Sequence, residues 1–445
     1  MNTSQPVVQQ QVQPDQSANS AVPNWLLIAL PTAAALSNIQ LRIALLAVVV
    51  IGAAAIVIAY RAADRVRLTL ASLILPVGGL AIALRPNLPE TQTAAFYYAL
   101  VCGVMALVVS QSHSRTSAVV SLVDGLGLLL VTAVALRSAG IGGTANAPVV
   151  MDNFLTGGER VFFPLAGALT SGPTLAAAYL VAAVLIIRRT DKFRMYRVVA
   201  AVAAIYVLVQ GDRRSALFTA ILLLVLATFA PRILRRLAPW AIGILLTSPF
   251  ILTFTGDVTQ QLNLWQRLQR VGEQNSQALN IRLQVWSRSI DFYQYGVDWF
   301  HKTFGFGTSG QYVSGASTTY RRFFSGLPGS ASKSPHNSVL QALFDGGWIA
   351  ALAFLMTVAW LAVVIARRNS EVDVASLSML TLLASVGSTE ALLAPGYVQP
   401  VWFTLVALGM IGFASDSPAT LSPGTPTPDG AREPNRKARA VTPRI

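Results

Sequence analysis

Charged residues are scarce in this chain: only 12% of its 445 residues are Asp, Glu, Lys or Arg, whereas 53% are hydrophobic. Together with a mean hydropathy of +0.55, this excludes an ordinary soluble protein, in which about a quarter of the residues are charged. Apolar runs near the roughly 20 residues that cross a bilayer recur along the chain. The composition therefore predicts an all-α polytopic membrane protein.

Cysteine and histidine are also rare. Cys102 is the only cysteine, so an intrachain disulfide and a thiolate cluster are excluded. The three histidines, His113, His301 and His336, lack the spacing of metal ligands, and the predicted outer connections contain no D-x-D pair of acids. We therefore predict a protein without a metal ion or another cofactor.

Apolar runs bounded by polar clusters predict about twelve transmembrane helices. The first is the weakest because Pro31 interrupts it, and the tenth is longer than a bilayer requires. The predicted spans are 24–37, 43–60, 68–84, 94–110, 117–136, 172–187, 195–210, 215–230, 237–255, 338–366, 374–391 and 398–414.

Basic residues predict the orientation of these spans. With a cytoplasmic N-terminus, 19 Arg and Lys residues fall on cytoplasmic connections, span ends and the C-terminal tail, against 6 on the short outer connections. Short loops follow the positive-inside rule best. This sidedness divides the chain into a disordered cytoplasmic N-terminus (1–22), nine spans (23–255), a large outer loop (256–337), three spans (338–414) and a disordered basic cytoplasmic tail (415–445).

The net charge of +14 has an explanation that does not involve nucleic acid. Basic cytoplasmic loops face anionic lipid headgroups, so membrane lipids are the predicted partners of this charge. Residues 1–22 lack a basic start, which argues against a cleaved signal peptide.

Five polar motifs lie on the predicted outer side, where arginines run against the positive-inside trend. They are RVFFPLAGALTSGPTLA from Arg160, GDRRSALF with Arg213 and Arg214, IRLQVW from the stretch that carries Arg282 and Arg288, FGFGTSG, and SPHNSVLQALFDGGW with His336 and Asp345. In this order, over roughly 155–390, the motifs resemble the O-antigen ligase and O-antigen polymerase superfamily of bacterial envelope glycosyltransferases.

The resemblance implies a GT-C-like membrane enzyme that faces the periplasm from the inner membrane. Its donor would be a glycan on polyprenyl diphosphate, and its acceptor a sugar hydroxyl of a glycolipid or glycan. The transfer would invert the anomeric configuration and would use no metal. Guanidinium groups bind phosphate oxygens bidentately, so Arg160, Arg213, Arg214, Arg282 and Arg288 are the predicted diphosphate ligands. Because Arg213 stands where the family motif has Ser, the alignment favours Arg214 over Arg213.

His336 is the predicted catalytic base. Ser334 and Pro335 predict an N-cap and a first helical residue, which would place His336 in the first helical turn, where the helix dipole disfavours an imidazolium. A neutral imidazole accepts a proton from an acceptor hydroxyl. Asp345 lies about 13 Å further along such a helix and on its opposite face. We expect Asp345 to be a structural intramembrane acid, paired with an arginine or a helix-end donor on another span.

Other interpretations remain open at this stage. A ligase and a polymerase of repeat units differ only in donor and acceptor, which the residues do not distinguish. A transporter or flippase for lipid-linked sugars is a remoter alternative, since its charges should be spread through several spans. Trp299, Tyr312 and Tyr320 in the outer loop are candidate stacking platforms for sugars.

Overall fold

The computed structural model describes residues 24–59, 66–85, 89–141, 161–167, 170–187, 194–261, 273–324 and 334–415. Within these ranges the protein is all-α, and the only β-type pairing is an isolated bridge between Arg67 and Ser415. The predicted disordered N-terminus, and the predicted tail beyond Ser415, lie outside the described residues.

Every one of the twelve predicted apolar segments coincides with a helix, and further helices lie in the predicted outer loop. In chain order the α-helices are α1 Trp25–Ala35, α2 Leu41–Ala59, α3 Ile74–Ala83, α4 Pro89–Ser110, α5 Arg115–Ser138, α6 Ser171–Ile187, α7 Arg194–Gln210, α8 Arg214–Phe229, α9 Pro231–Gln261, α10 Glu273–Gly296, α11 Trp299–Phe304, α12 Gly310–Val313, α13 Ala316–Tyr320, α14 Ser338–Ala366, α15 Glu371–Gly387 and α16 Pro400–Phe413.

Five helices among the described residues are long and apolar enough to cross a membrane: Leu41–Ala59, Gln92–Ser110, Arg115–Ser138, Pro231–Thr253 and Ser338–Ala366. Several others are apolar but shorter, including α6, α8 and α16. The all-helical, membrane-type architecture is therefore confirmed, while twelve crossings and a single large outer loop stay predictions.

The centre of the bundle is formed by α5, α6, α15 and α16. All residues of α16 and most residues of α5 and α15 are buried. Alanines such as Ala176, Ala177 and Ala178 leave room for α6 to pack closely against α7 and α15, as small residues do where helices meet in membranes. Large apolar side chains on α2, α7, α8 and α9 instead point outward.

A buried ion pair crosses this packed region. Arg197 on α7 donates from Nε and Nη2 to the two carboxylate oxygens of Asp124 on α5, at 2.7 and 2.9 Å, and both side chains are almost fully buried. Tyr179 donates to the Arg197 carbonyl, and Tyr196 to the Asp124 carbonyl. The planar guanidinium matches the carboxylate in a bidentate pair, which meets the requirement that intramembrane charges be paired.

The long helix α14 is broken near its N-terminal end. Gly347 has φ 68° and ψ −168°, a conformation that essentially only glycine adopts. The break frees the carbonyls of Phe344 and Asp345 from their helical partners. They accept instead from the backbone N–H groups of Phe306 and Gly307, both at 2.8 Å. The predicted tenth span, which is longer than a bilayer requires, thus contains a break at Gly347.

Glycines in the FGFGTSG motif permit this docking. A Cβ at Gly305 would collide with the Asp345 carbonyl, and a Cβ at Gly310 with the Phe344 carbonyl. The same holds for Gly347, where a Cβ would meet the carbonyl of Thr303. The outer-loop turn therefore lies backbone to backbone against the broken helix.

Two helices end at other residues than the spans predicted there. The ninth segment was expected to end at 255, but α9 continues to Gln261. The eleventh was expected to run to 391, but α15 ends at Gly387 with Ser388 as its C-cap. Residues that the sequence assigned to the end of that span, including Glu390, therefore lie in the connection to α16.

Candidate active site

His336 lies before the helix that it was expected to occupy. Asn337 is the N-cap of α14, and its side chain accepts from the backbone N–H groups of Val339 and Leu340 at 2.8 and 2.9 Å. His336 itself has φ 51°, a left-handed conformation that non-glycine residues seldom adopt. The prediction that Ser334 caps the helix and that His336 lies in its first turn is therefore wrong.

The N-terminus of α14 is hydrogen-bonded to the connection between α15 and α16. Asn337 donates from Nδ2 to the Ser388 carbonyl at 2.9 Å, and Ser338 donates from Oγ to the Glu390 carbonyl at 2.8 Å. Ser338 Oγ also accepts from the Leu393 N–H at 3.1 Å. These bonds fix the backbone of Glu390 directly beside His336.

Glu390 is the centre of the charged cluster. Its Oε2 lies 3.0 Å from His336 Nδ1, and its Oε1 accepts from Arg213 at 2.9 Å and from Arg282 at 3.1 Å. Burial alone would raise the pKa of Glu390, but Arg213, His336 and Arg282 together hold this pKa well below its usual range. The carboxylate is therefore ionised and shared by three cationic or basic side chains.

The adjacent arginines of the GDRRSALF motif meet different acids. Arg213, at the N-cap position of α8, contacts Glu390 and also donates to Thr389 Oγ1 at 3.3 Å. Arg214 instead has its Nε 3.7 Å from Oδ1 of Asp212, and its side chain is about one third exposed. The structure thus brings Arg213, which the alignment disfavoured, into the cluster with His336.

The arginines of α10 also separate. Arg282 reaches Glu390, and the same helix contacts the His336 segment through Trp286, whose Nε1 donates to the Pro335 carbonyl at 3.0 Å. Arg288 is turned elsewhere and donates to the Thr319 carbonyl at 3.2 Å. Of the two, only Arg282 joins the cluster around Glu390.

Asp345 belongs to a second, separate polar network. Its Oδ1 accepts from the backbone N–H of Gly310, at the start of α12, at 2.7 Å, and from Gln341 Nε2 at 2.8 Å. Gln341 also contacts Gln311 Oε1 and the hydroxyl of Tyr397. The donor to Asp345 is at a helix end, but this helix lies in the outer-loop region rather than in another span.

The remaining predicted residues have mixed outcomes. Arg160 lies outside the described residues. Tyr320 is fully buried and offers no stacking face, whereas Trp299 and Tyr312 are exposed.

Over the part of the chain that the structure describes, no group of three His, Cys, Asp or Glu side chains could hold a metal ion.

Glu390 is the functional candidate that the sequence analysis missed. The predicted span 374–391 includes Glu390, which places this acid in a span rather than in a connection. A usable signal was present in GSTEALLAPG, because Gly387 and the two hydroxyl residues after it are typical of a helix end. An acid just beyond such an end, ahead of Pro395, indicates a polar connection rather than a span interior.

Comparison with known families gives one match. The sequence model of the O-antigen ligase family matches residues 161–355. This segment contains Arg213, Arg282 and His336 but ends before Glu390 and starts just after Arg160. A search of curated proteins found no match.

Proposed function

We propose, from the match of residues 161–355 to the sequence model of the O-antigen ligase family, that the protein transfers a glycan from polyprenyl diphosphate to a sugar hydroxyl, with inversion, on the outer face of the inner membrane. The family supports glycosyl transfer of the ligase or polymerase type, and the apolar helices support a membrane protein. The finished-glycan ligase reaction is our first choice, and repeat-unit polymerisation is the alternative.

The observation that carries the proposal is the cluster around Glu390. Two guanidinium groups and one carboxylate leave one unit of positive charge before the imidazole is counted. A departing diphosphate gains negative charge as the glycosidic bond breaks, and fixed cations stabilise such charge most effectively where water is scarce. Arg213 and Arg282 retain further N–H donors for phosphate oxygens beyond the contacts with Glu390. Arg160, Arg214 and Arg288 remain secondary candidates.

His336 acts as the general base in the proposed reaction. The acceptor oxygen attacks the anomeric carbon, the bond from that carbon to the diphosphate oxygen breaks, and the diphosphate leaves with the electron pair. The hydroxyl proton passes to His336. Because Nδ1 faces Glu390, the accepting atom would be Nε2, and the carboxylate would stabilise the imidazolium that forms.

The reaction we propose uses no metal ion, with arginines in the role that a divalent cation has in other lipid-linked sugar transferases. The test is transfer by purified protein in liposomes that contain a polyprenyl-diphosphate glycan and an acceptor glycolipid. Activity should persist in EDTA. Loss in EDTA with recovery on adding Mg²⁺ or Mn²⁺ would overturn this part of the proposal alone.

Two substitutions test the base and its partner in the same assay. His336→Gln should lower kcat by about 10²-fold to 10⁴-fold, the usual contribution of a general base, and Glu390→Gln should also lower kcat. The matched control is His301→Gln, since His301 also pairs with an acid, Asp298, but outside the cluster. If His336→Gln protein keeps normal kcat, His336 is not the base.

A deletion strain distinguishes the overall reactions. Unattached long glycans would indicate a ligase, and single attached repeat units a polymerase. Donor trapped on the cytoplasmic side would overturn both and favour a flippase. If the chain with Glu390→Gln fails to complement the deletion, the phenotype depends on the cluster.

A further inference from the structure

The short helix α11 has an exposed aromatic face. With about 100° of rotation per residue, Trp299, Phe300 and Phe304 fall on one arc of the helix. Thr303 also falls on this arc, and His301 and Lys302 fall on the other. Trp299 is 76% exposed, and Phe300 and Phe304 are 49% and 39% exposed. Tyr295, in the last turn of the preceding helix α10, is also 80% exposed. So much exposed aromatic surface in one place is unusual for a face in water.

The opposite side of α11 is polar and held in place. Asp298 caps the helix through the His301 N–H and pairs with the His301 ring. Lys302 donates from Nζ to the Gln294 carbonyl at 2.6 Å, and the Lys302 carbonyl accepts from Tyr293 at the same distance. A helix with one aromatic face and one polar face containing a lysine is typical of a segment that lies in a membrane interface.

Three contacts give the level of α11 relative to the apolar helices. Arg85, just beyond the end of α3, donates to the Phe304 carbonyl. Thr308 donates to the Ile82 carbonyl in the last turn of α3. Thr303 lies against Gly347, at the break in α14. Helix α11 therefore lies where α3 ends and where the broken helix changes direction.

The exposed apolar surface of α14 begins at this same level. Residues from Ser338 to Gly347 are buried, whereas Trp348, Ile349, Leu352 and Met356, beyond the break, are exposed along one side of the helix. Trp348 contacts the ring of Tyr293, with centroids 5.9 Å apart. The aromatic face of α11 is thus adjacent to an apolar surface on a helix long enough to cross a membrane.

We propose that the aromatic face of α11, formed by Trp299, Phe300 and Phe304, is buried in the headgroup and upper acyl region of the leaflet next to the Glu390 cluster. Tryptophan and tyrosine concentrate at this depth because their rings are apolar while one polar group stays wet. The anchor would hold the end of α10, the helix that carries Arg282, at a constant height above the bilayer. The inference does not depend on which reaction the cluster performs.

Lipid-borne quenchers test this placement. The full chain with Cys102→Ala receives one cysteine, either Phe300→Cys on the aromatic face or Lys302→Cys on the polar face as the matched control. Each is labelled with the fluorophore NBD and placed in phosphatidylcholine nanodiscs with nitroxide at the headgroup, at acyl carbon 5 or at acyl carbon 12. Size-exclusion profiles and thermal unfolding that match the parent protein establish that each variant is folded.

We expect the probe at position 300 to be quenched by carbon-5 nitroxide at least about twofold more than the probe at 302, with little quenching from carbon 12, as for a helix buried 5–10 Å deep. Equal and weak quenching at both positions would place the face in water and overturn the proposal. A change in NBD fluorescence at position 300 that occurs only when free oligosaccharide is added would also overturn the proposal. It would assign the aromatic face to sugar binding.

Discussion

At the scale of single residues, Arg213 and Arg214 demonstrate how neighbours in sequence acquire separate environments. Arg213 precedes the first residue of α8 and reaches Glu390, whose carboxylate is almost buried. Arg214 begins the helix and is further from its acid, Asp212, at 3.7 Å. Alignment to the family motif favours Arg214. An alignment compares residue types in order and does not show in which direction each side chain points from the end of a helix.

The two arginines should therefore differ in their effect on activity. Arg213→Gln removes one of the two guanidinium groups proposed to bind the departing diphosphate. Removal of one such preorganised donor typically costs about 10²-fold to 10³-fold in rate, so kcat/KM should fall by about 10²-fold or more. Arg214→Gln should change kcat/KM by less than about tenfold, since a partly exposed pair contributes about 0–1 kcal/mol. Transfer kinetics in liposomes measure both, and a larger loss with Arg214→Gln would return the role to the residue that the alignment favoured.

At the scale of elements, the break in α14 joins the outer loop to the membrane bundle. The FGFGTSG turn supplies N–H donors to the carbonyls that Gly347 releases, and Asp345 accepts from Gly310 in the following helix. Irregular backbone at this depth is tolerated because protein groups satisfy it. The position of the outer loop, and so of Arg282, depends on this docked turn.

Gly347→Ala should therefore weaken the docking. Alanine at φ 68° and ψ −168° costs about 1–3 kcal/mol of strain, and its Cβ would also meet the Thr303 carbonyl. We expect a lower melting temperature in detergent and faster proteolysis of the outer loop. The control is Gly103→Ala on α4, where a Cβ meets nothing within 4 Å, and which should be neutral or slightly stabilising. Equal melting temperatures for the two variants would show that the backbone conformation of Gly347 does not require glycine.

At the scale of the whole molecule, the described charges differ in where they lie: some are exposed near helix ends, and Arg197 is paired inside the bundle. Arg197 was counted among the cytoplasmic positive charges, but it is buried and paired with Asp124. It therefore contributes to packing of α5 against α7 rather than to the charge facing anionic lipid. The other basic clusters still favour the predicted orientation.

The Asp124 and Arg197 pair should behave as one unit. Asp124→Asn leaves a buried guanidinium without its counterion, which typically costs about 3–5 kcal/mol, so thermal unfolding should occur at a clearly lower temperature. The double variant Asp124→Leu with Arg197→Met should recover much of this loss, because two apolar side chains need no pairing. A double variant that melts lower than the single one would contradict this view of the pair.

The sequence by itself determined the helices, because apolar runs of this length have few other ways to satisfy their backbone groups in a bilayer. It also named three of the four residues that meet in the cluster, Arg213, Arg282 and His336, although it ranked Arg213 below Arg214. Only the tertiary structure decided that Glu390 joins them, that Asp345 bonds to Gly310, and that α14 breaks at Gly347. These outcomes depend on contacts between segments far apart in the chain: Glu390 is 177 residues from Arg213 and 108 from Arg282. Hydropathy and motif order describe each segment alone, whereas the partner of a charge at a helix end is selected by how the helices pack.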